Sequence, residues 1–427
     1  MRETLTKEVM TKNDKTQEEG MNRRSFLGAA AAALSASALM APAGLAQTRA
    51  EIHKGKIDGS ASNPGPINKE LQDQNAASFM PEDADAGDVE SFWYSFELAH
   101  RRVQDGGWTR QVTQIDLPQS KDLAGVNMRL TAGSYRELHW HTANEWAMML
   151  TGSARITVLN PDGTIFIDDV KKGDLWFFPA GYPHSIQGLG PDGCEFLLVF
   201  DNALFSEYQT FLISDWVAHT PPELLKKSMN LSASAIAKLP KREEYIMPGT
   251  VPGSLEADRE AVGGKAVESK ASYSFRMEDM KPTFEDAQGS VRIVDASVFP
   301  ATTVSTAMVV LRPGAVREMH WHPNASEWQY WIQGTGRMTL FVSGGKARTM
   351  EFHPNEVGYV PPVAGHVIEN TGTEDLIFLE MFKNPKYADV SLNQWIRRLP
   401  EHLIKEHLYL DSQEINQIPA KRELVRA

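Results

Sequence analysis

A metal-ligand pattern that occurs twice constrains this chain more than anything else in it. His139-Trp140-His141 with Glu145 recurs 181 residues on as His320-Trp321-His322 with Glu327. Each set gains one more histidine, His184 or His366, placed 39 residues after its glutamate. Repetition of a whole ligand set implies two similar domains, each built around a metal. Histidines two apart on a strand point to one face. Three residues separate the last of these histidines from the glutamate in the first copy and four in the second. That unequal gap predicts a turn, with the glutamate opening the next strand. Three imidazoles and a carboxylate suit Mn, Fe, Co, Ni or Zn, and the ligands alone do not choose among them.

With 427 residues the chain is long enough for two domains with full hydrophobic cores. A net charge of -12 argues against non-specific nucleic-acid binding. An anionic substrate must then be attracted locally, by a metal or an arginine. The single cysteine, Cys194, excludes an intrachain disulfide framework and a thiolate cluster, and its apolar neighbours read as core. Near the N-terminus, Arg23-Arg24 precedes an alanine-rich apolar stretch, Ala29 to Leu39, and the small-residue site Gly44-Leu45-Ala46. This pattern predicts a twin-arginine signal peptide over residues 1–46, export to the periplasm or beyond, and no membrane association after cleavage.

Residues 47–90 are polar and read as an extended arm. Short strands with turn signals follow over 91–240, for example Pro161-Asp162-Gly163 and Pro179-Ala180-Gly181. Helical patterns at Pro222–Met229 and Ala233–Leu239 close this first domain. A linker over 241–270 contains Pro248-Gly249 and Pro252-Gly253. The second domain, 271–427, repeats the order, with helical patterns at Ser391–Leu399 and Glu401–Leu408. Many short strands with regular turns indicate an all-β dominated sandwich or barrel in each half.

The glycines around the ligands narrow this further. Gly133-x5-His139-x-His141-x3-Glu145-x6-Gly152 and Gly314-x5-His320-x-His322-x4-Glu327-x6-Gly334 match the first cupin motif, and Gly173-x5-Pro179-x-Gly181-x2-His184 matches the second. Gly188 stands where asparagine is usual. In the second copy Asn355 and Val363 replace two glycines, while Pro361, His366 and Asn370 are kept; Asn355 can still serve a turn because asparagine tolerates a left-handed conformation. The chain resembles a bicupin, two cupin (double-stranded β-helix, or jelly-roll) barrels in tandem. Stretches such as Arg136-Glu137-Leu138-His139-Trp140-His141, Phe166-Ile167-Asp168-Asp169-Val170 and Glu327-Trp328-Gln329-Tyr330 are similar to the bacterial oxalate decarboxylase family. The resemblance implies a carboxy-lyase that converts oxalate to formate and carbon dioxide, two Mn(2+) per chain, dioxygen as co-substrate, and a homo-hexamer built as a dimer of trimers.

The copies differ where chemistry is decided. Ser206-Glu207-Tyr208-Gln209-Thr210 follows the last strand of the first domain, where the resemblance implies a lid whose glutamate is the general acid/base at the N-terminal metal site; Glu207 holds that place. Tyr208 and Gln209 are bulkier than the small polar residues usual there. In the second copy, Glu380 replaces the apolar Leu198 on a core strand, which is costly unless a charge or metal pairs with it; a role beside the second metal, or as an accessory proton group, follows from the resemblance. Arg136 and Arg317 each lie three residues before a ligand histidine, and the resemblance places them in the sites, where a guanidinium can hold a carboxylate. An odd offset points to the opposite strand face, so a bend or bulge is needed. Three rival readings remain at this point. An oxalate oxidase, yielding H2O2 and carbon dioxide, differs only at the lid. A non-catalytic metal-binding or storage bicupin would commonly lose ligands. A ring-cleaving dioxygenase would more often use iron and a wider apolar pocket.

Overall fold

The structure is a computed structural model that describes residues 65–79, 81–82, 84–263 and 269–427. The expected signal peptide and residues 47–64 of the expected arm lie outside the described residues.

The first barrel is built from β1 (Gly107–Val112), β2 (Ala124–Leu130), β3 (Tyr135–Trp140), β4 (Glu145–Leu159), β5 (Ile165–Lys171), β6 (Asp174–Phe178), β7 (His184–Gly188) and β8 (Cys194–Phe200). All its pairings are antiparallel. The 15-residue β4 belongs to both walls of the barrel: its first half pairs with β8 and β6, its second with β5 and β7. The change of partners falls at Gly152, which has φ +73° and whose missing Cβ would lie 1.9 Å from the Gly193 carbonyl oxygen. Only glycine fits that approach.

The second barrel repeats this plan with β9 (Gly289–Val294), β10 (Ser305–Leu311), β11 (Val316–Trp321), β12 (Glu327–Gln333), β13 (Gly336–Val342), β14 (Lys346–Phe352), β15 (Glu356–Val360), β16 (Gly365–Asn370) and β17 (Leu376–Phe382). Here the run equivalent to β4 divides into β12 and β13 around Gly334, φ +80°. Asn355 (φ 71°) and Val363 (φ 59°) adopt the left-handed conformation of their first-copy counterparts Gly173 and Gly181. Asparagine tolerates it, whereas a β-branched valine is strained there.

The apolar run of β8 is explained by burial on both faces. Cys194, Phe196, Leu198 and Phe200 point into the first barrel, and Leu197 and Val199 point the other way, into a second core. That second core joins the two barrels: Trp146, Met148 and Leu197 of the first pack with Met308, Trp328, Leu379 and Met381 of the second. A third core fills the second barrel. A strand wet on one face alternates polar and apolar residues; one buried on both does not.

The barrels also exchange strands. Trp93–Ser95, which precedes the first barrel, pairs with β15 of the second. Ser274–Arg276, which precedes the second barrel, pairs with β6 of the first. The segment between the domains is tied down as well. Ile246–Met247 adds a short strand to β3, and the helix Leu255–Gly263 docks through Arg155–Asp258 at 2.5 Å and Arg259 to the Ile167 carbonyl at 2.9 Å. The expected arm contains a short helix, Lys69–Gln74, capped by the Asn68 side chain. After each barrel a set of short helices follows: Ile213–Ala218, Pro222–Met229 and Ala233–Ile236, then Leu392–Arg398, Glu401–Leu408 and Ser412–Ile415.

Candidate metal centres

The topology brings each ligand set together at one end of its barrel. His139 lies on β3, His141 directly after it, and Glu145 and His184 open β4 and β7. His320 lies on β11, His322 directly after it, Glu327 opens β12 and His366 lies on β16. The expected turn between histidines and glutamate is present in both copies. Within each set the four potential ligand atoms lie within 4.8 Å of one another, and all eight residues are buried. Nε2 of His141 is 3.1 Å from a Glu145 oxygen, and Nε2 of His366 is 2.9 Å from one of Glu327.

Every one of the six rings has a backbone carbonyl at its Nδ1: Glu137, Ala143 and Tyr182 in the first set, Glu318, Ala388 and Ala364 in the second, at 2.6–3.2 Å. A carbonyl only accepts, so each ring carries its proton on Nδ1 and presents an Nε2 lone pair to the centre. Among the described residues, Glu145 Oε1 and Nε2 of His184, His320 and His366 are buried without a hydrogen-bond partner. Buried polar groups are rarely left so, and these converge. Burial, reinforced by the charge of Arg136 or Arg317, keeps His139 and His320 well below the usual imidazole range. Burial would raise Glu145, yet the adjacent His141 and His184 rings hold it at about 2. Neutral imidazoles and an ionised carboxylate are the forms a divalent cation needs. The donor set and its orphaned atoms fit such an ion.

The bulge that the arginines require is there. The pairing of β3 with β7 shifts register between Arg136 and His139, and that of β11 with β16 shifts between Arg317 and His320. In the first barrel this turns Arg136 into a small cavity of ≈ 10 Å³ that it lines with His139, His141, Glu145, Glu207 and Thr210. Arg136 donates to the Thr210 hydroxyl at 3.0 Å and lies over the Tyr245 ring at 4.1 Å. Glu207 is buried at 5% exposure. Its carboxylate accepts from the hydroxyls of Thr109, at 2.5 Å, and Tyr245, and its backbone N–H donates to Gln111. Burial pushes the Glu207 carboxyl above the ordinary range, against those hydrogen bonds and the charges of Arg136 and Arg102.

The second centre is arranged differently. Arg317 is fully buried and donates to Glu380 at 3.1 Å, to Asp389 at 2.9 Å, to the Tyr387 hydroxyl at 2.9 Å and to the Leu424 carbonyl. Arg422 also pairs with Asp389. Glu380 is thus the charge partner of Arg317, and burial raises its carboxyl. Glu327 is further held by Gln329 at 2.6 Å, where the first barrel has Ala147.

The comparisons with known proteins follow this geometry. Residues 96–237 and 275–416 each match the cupin family model. An oxalate decarboxylase of Bacillus subtilis is 47% identical over 354 residues, covering 83% of this chain and 91% of that protein. The chain belongs to the bicupin oxalate decarboxylase family. A probable oxalate decarboxylase of the fungus Arthroderma benhamiae is 35% identical, covering 92% of this chain and 99% of its own. A solved structure of the B. subtilis oxalate decarboxylase, studied for its Mn(II) centres, superposes with a TM-score of 0.82 at 46% identity, covering 84% of this chain and 95% of that one. In this family member, sequence reasoning did not find Thr109, Gln111 or Tyr245. They come from a hairpin before the motifs and from the expected linker, and no motif marks them. Thr210 lies in the stretch singled out for Glu207, but which side chain faces an arginine is set by strand register, as it is for Asp389.

Proposed function

We propose that this chain decarboxylates oxalate to formate and carbon dioxide at the first centre, with manganese in both. The observation that carries the reading is the convergence of Arg136 and Glu207 on the cavity of His139, His141 and Glu145. The described donors fit a divalent cation, and the family resemblance selects manganese. When bound, manganese supplies an anchor for an anion and, with dioxygen as co-substrate, a reversible one-electron sink. Arg136, whose guanidinium has no acid within salt-bridge distance among the described residues, holds the remote carboxylate of the substrate. Glu207 takes the proton of hydrogen oxalate as the carbon–carbon bond breaks, and returns a proton to the carbon that becomes formate. Hydrogen oxalate thereby yields one carbon dioxide and one formate.

A free volume of ≈ 10 Å³ holds about one water and not an anion of six heavy atoms. The segment 206–210 therefore opens for entry and closes for chemistry. The second centre serves structure and metal retention, since Arg317 is already engaged by two carboxylates. The test is product analysis of manganese-loaded protein with oxalate in air. Glu207→Gln should lower formate production by at least about a hundredfold with metal content unchanged. Full formate production by that variant sinks the assignment of Glu207. Peroxide without formate from the parent chain favours the oxidase reading instead.

Export by the twin-arginine route, to the periplasm or beyond, belongs to the same proposal and is supported by Arg23-Arg24 and the apolar stretch behind it. Among the described residues no helix is long and apolar enough to cross a membrane. The resemblance implies a hexamer, and assembly of the chain is supported by the apolar residues exposed on both barrels, including Leu138, Phe211, Trp216, Met319 and Trp395. A groove of ≈ 500 Å³ beside Leu138, Ile213 and Met247 adds to that surface. Light scattering of the mature chain reads the assembly.

A further inference from the structure

The lid carries an aromatic side chain that proton transfer does not use. Tyr208 is 58% exposed, yet its ring lies 5.1 Å from the guanidinium carbon of Arg102. The same guanidinium lies 3.7 Å from the centroid of Tyr245, whose hydroxyl donates to Glu207. Arg102 is itself fixed, donating to Glu243 at 2.7 Å. It stands on the short strand Arg102–Gln104, directly opposite Thr109, the other residue that holds the Glu207 carboxylate. One hairpin thus presents three grips to the lid: Thr109 on the Glu207 side chain, Gln111 on its backbone N–H, and Arg102 on the neighbouring ring.

The second barrel has no such receiver. Register places Phe284 at the position of Arg102, Val291 at that of Thr109, Ile293 at that of Gln111 and Leu424 at that of Tyr245. The polar grips occur only where there is a lid glutamate to hold.

We infer that Arg102 and Tyr208 form a latch on the lid, so that Arg102 is a positioning residue for Glu207 and Tyr208 sets how long the cavity stays closed. This rests on the reading of Glu207 as the group that moves the proton. A guanidinium over an aromatic face is attracted by the ring quadrupole, and a ring held between lid and hairpin must leave Arg102 before Glu207 can swing out. A small polar residue at position 208 offers no face to Arg102. With the lid closed, the proton taken from oxalate stays on Glu207 and returns to carbon. With the lid open, the competing course is oxidation of oxalate to two carbon dioxide molecules, in which dioxygen accepts two electrons and two protons to become hydrogen peroxide. The latch therefore favours formate over peroxide.

Hydrogen exchange of the manganese-loaded full chain tests this, read on the peptide spanning residues 205–211, beside formate and peroxide assays. Tyr208→Asn should speed exchange there by roughly two- to fivefold, the size of one half-exposed cation–π contact. It should lower kcat for formate by a similar factor without raising KM, and raise the peroxide share. Tyr208→Phe keeps the ring and should behave as the parent. Arg102→Met should match Tyr208→Asn, with faster exchange confined to the lid. Unchanged lid exchange in Tyr208→Asn overturns the latch, as does exchange in Tyr208→Phe as fast as in Tyr208→Asn. Tyr208 is at the surface and its variants do not disturb a core, so the pair decides even where Arg102→Met loosens the whole chain. Exchange needs no turnover. A parent protein that makes no formate would sink the proposed function, while the latch would still stand or fall on exchange alone.

Discussion

The two centres share their ligands and differ in what surrounds the arginine. Around Arg136 the chain places a hydroxyl, Thr210, and leaves the guanidinium facing a cavity. Around Arg317 it places Asp389 at the position of Thr210 and Glu380 at that of Leu198, and the guanidinium is consumed. The loop behind the last core strand runs for ten residues, 201–210, in the first barrel and for seven, 383–389, in the second. The longer loop reaches back with a carboxylate. On the proposed reading, a duplicated metal site is made reactive or inert by the side chains around its ligands alone. A free arginine beside an acid gives a substrate pocket; a buried ion-pair cluster gives a plug.

The sharpest way to break this comparison is to remove one metal at a time. Glu145→Ala and Glu327→Ala should each reduce bound manganese from two ions per chain to one, measured by elemental analysis. Only Glu145→Ala should abolish formate production, by on the order of a thousandfold or more, since a catalytic metal supplies several kcal/mol of transition-state stabilisation. Equal loss of formate in both variants would mean that the second centre turns over.

The arginines come next. Arg136→Leu should lower kcat/KM by about a hundredfold, the cost of a lost positioning contact, with little change in melting temperature. Arg317→Leu should do the reverse. It leaves Glu380 buried without its cation, at a cost of about 3–5 kcal/mol in stability, read by denaturant unfolding. A stable but inactive Arg317→Leu would overturn the description of that site as a plug.

The smallest effects are in pH dependence. Burial raises the Glu207 carboxyl in the folded chain. Such a group favours folding below its unfolded pKa, and that contribution is lost as pH rises through the folded value. Glu207→Gln, uncharged throughout, should therefore melt above the parent at neutral pH, by no more than a few degrees, with the difference closing as pH falls into the carboxylate range. Thr109→Val removes a hydrogen bond that holds the carboxylate form down, so the limb of the kcat/KM profile assigned to Glu207 should move upward by roughly half a unit. A downward move would mean that Thr109 does not act on the ionised form.

The ligand sets were legible because they are local: two histidines on one strand face, a turn, a glutamate, and a second short motif. The arginines were legible by resemblance, and strand alternation asked for a bend or bulge, which β3 and β11 supply as a bulge. What holds Glu207 was not legible. Thr109 and Tyr245 reach it across 98 and 38 residues of chain, and a threonine on a strand or a tyrosine beyond a helix carries no mark of what it will face. The strand exchange was hidden for a related reason. Period-two patterning says that Trp93–Ser95 and Ser274–Arg276 are extended, but an edge hydrogen-bonds equally well to either barrel.

That exchange has a thermodynamic consequence. Each barrel borrows its edge from sequence belonging to the other, and Trp146 and Trp328 share one core between them. Neither half can melt without stripping a strand from its neighbour, so the chain should unfold as one cooperative unit. An ion bound to either centre then stabilises the whole by mass action. On the proposed reading the second metal is remote from the reaction and acts in this sense as ballast: it should raise the melting point of the first barrel without touching substrate, and chelation at that site should lower a single shared transition rather than reveal a second one.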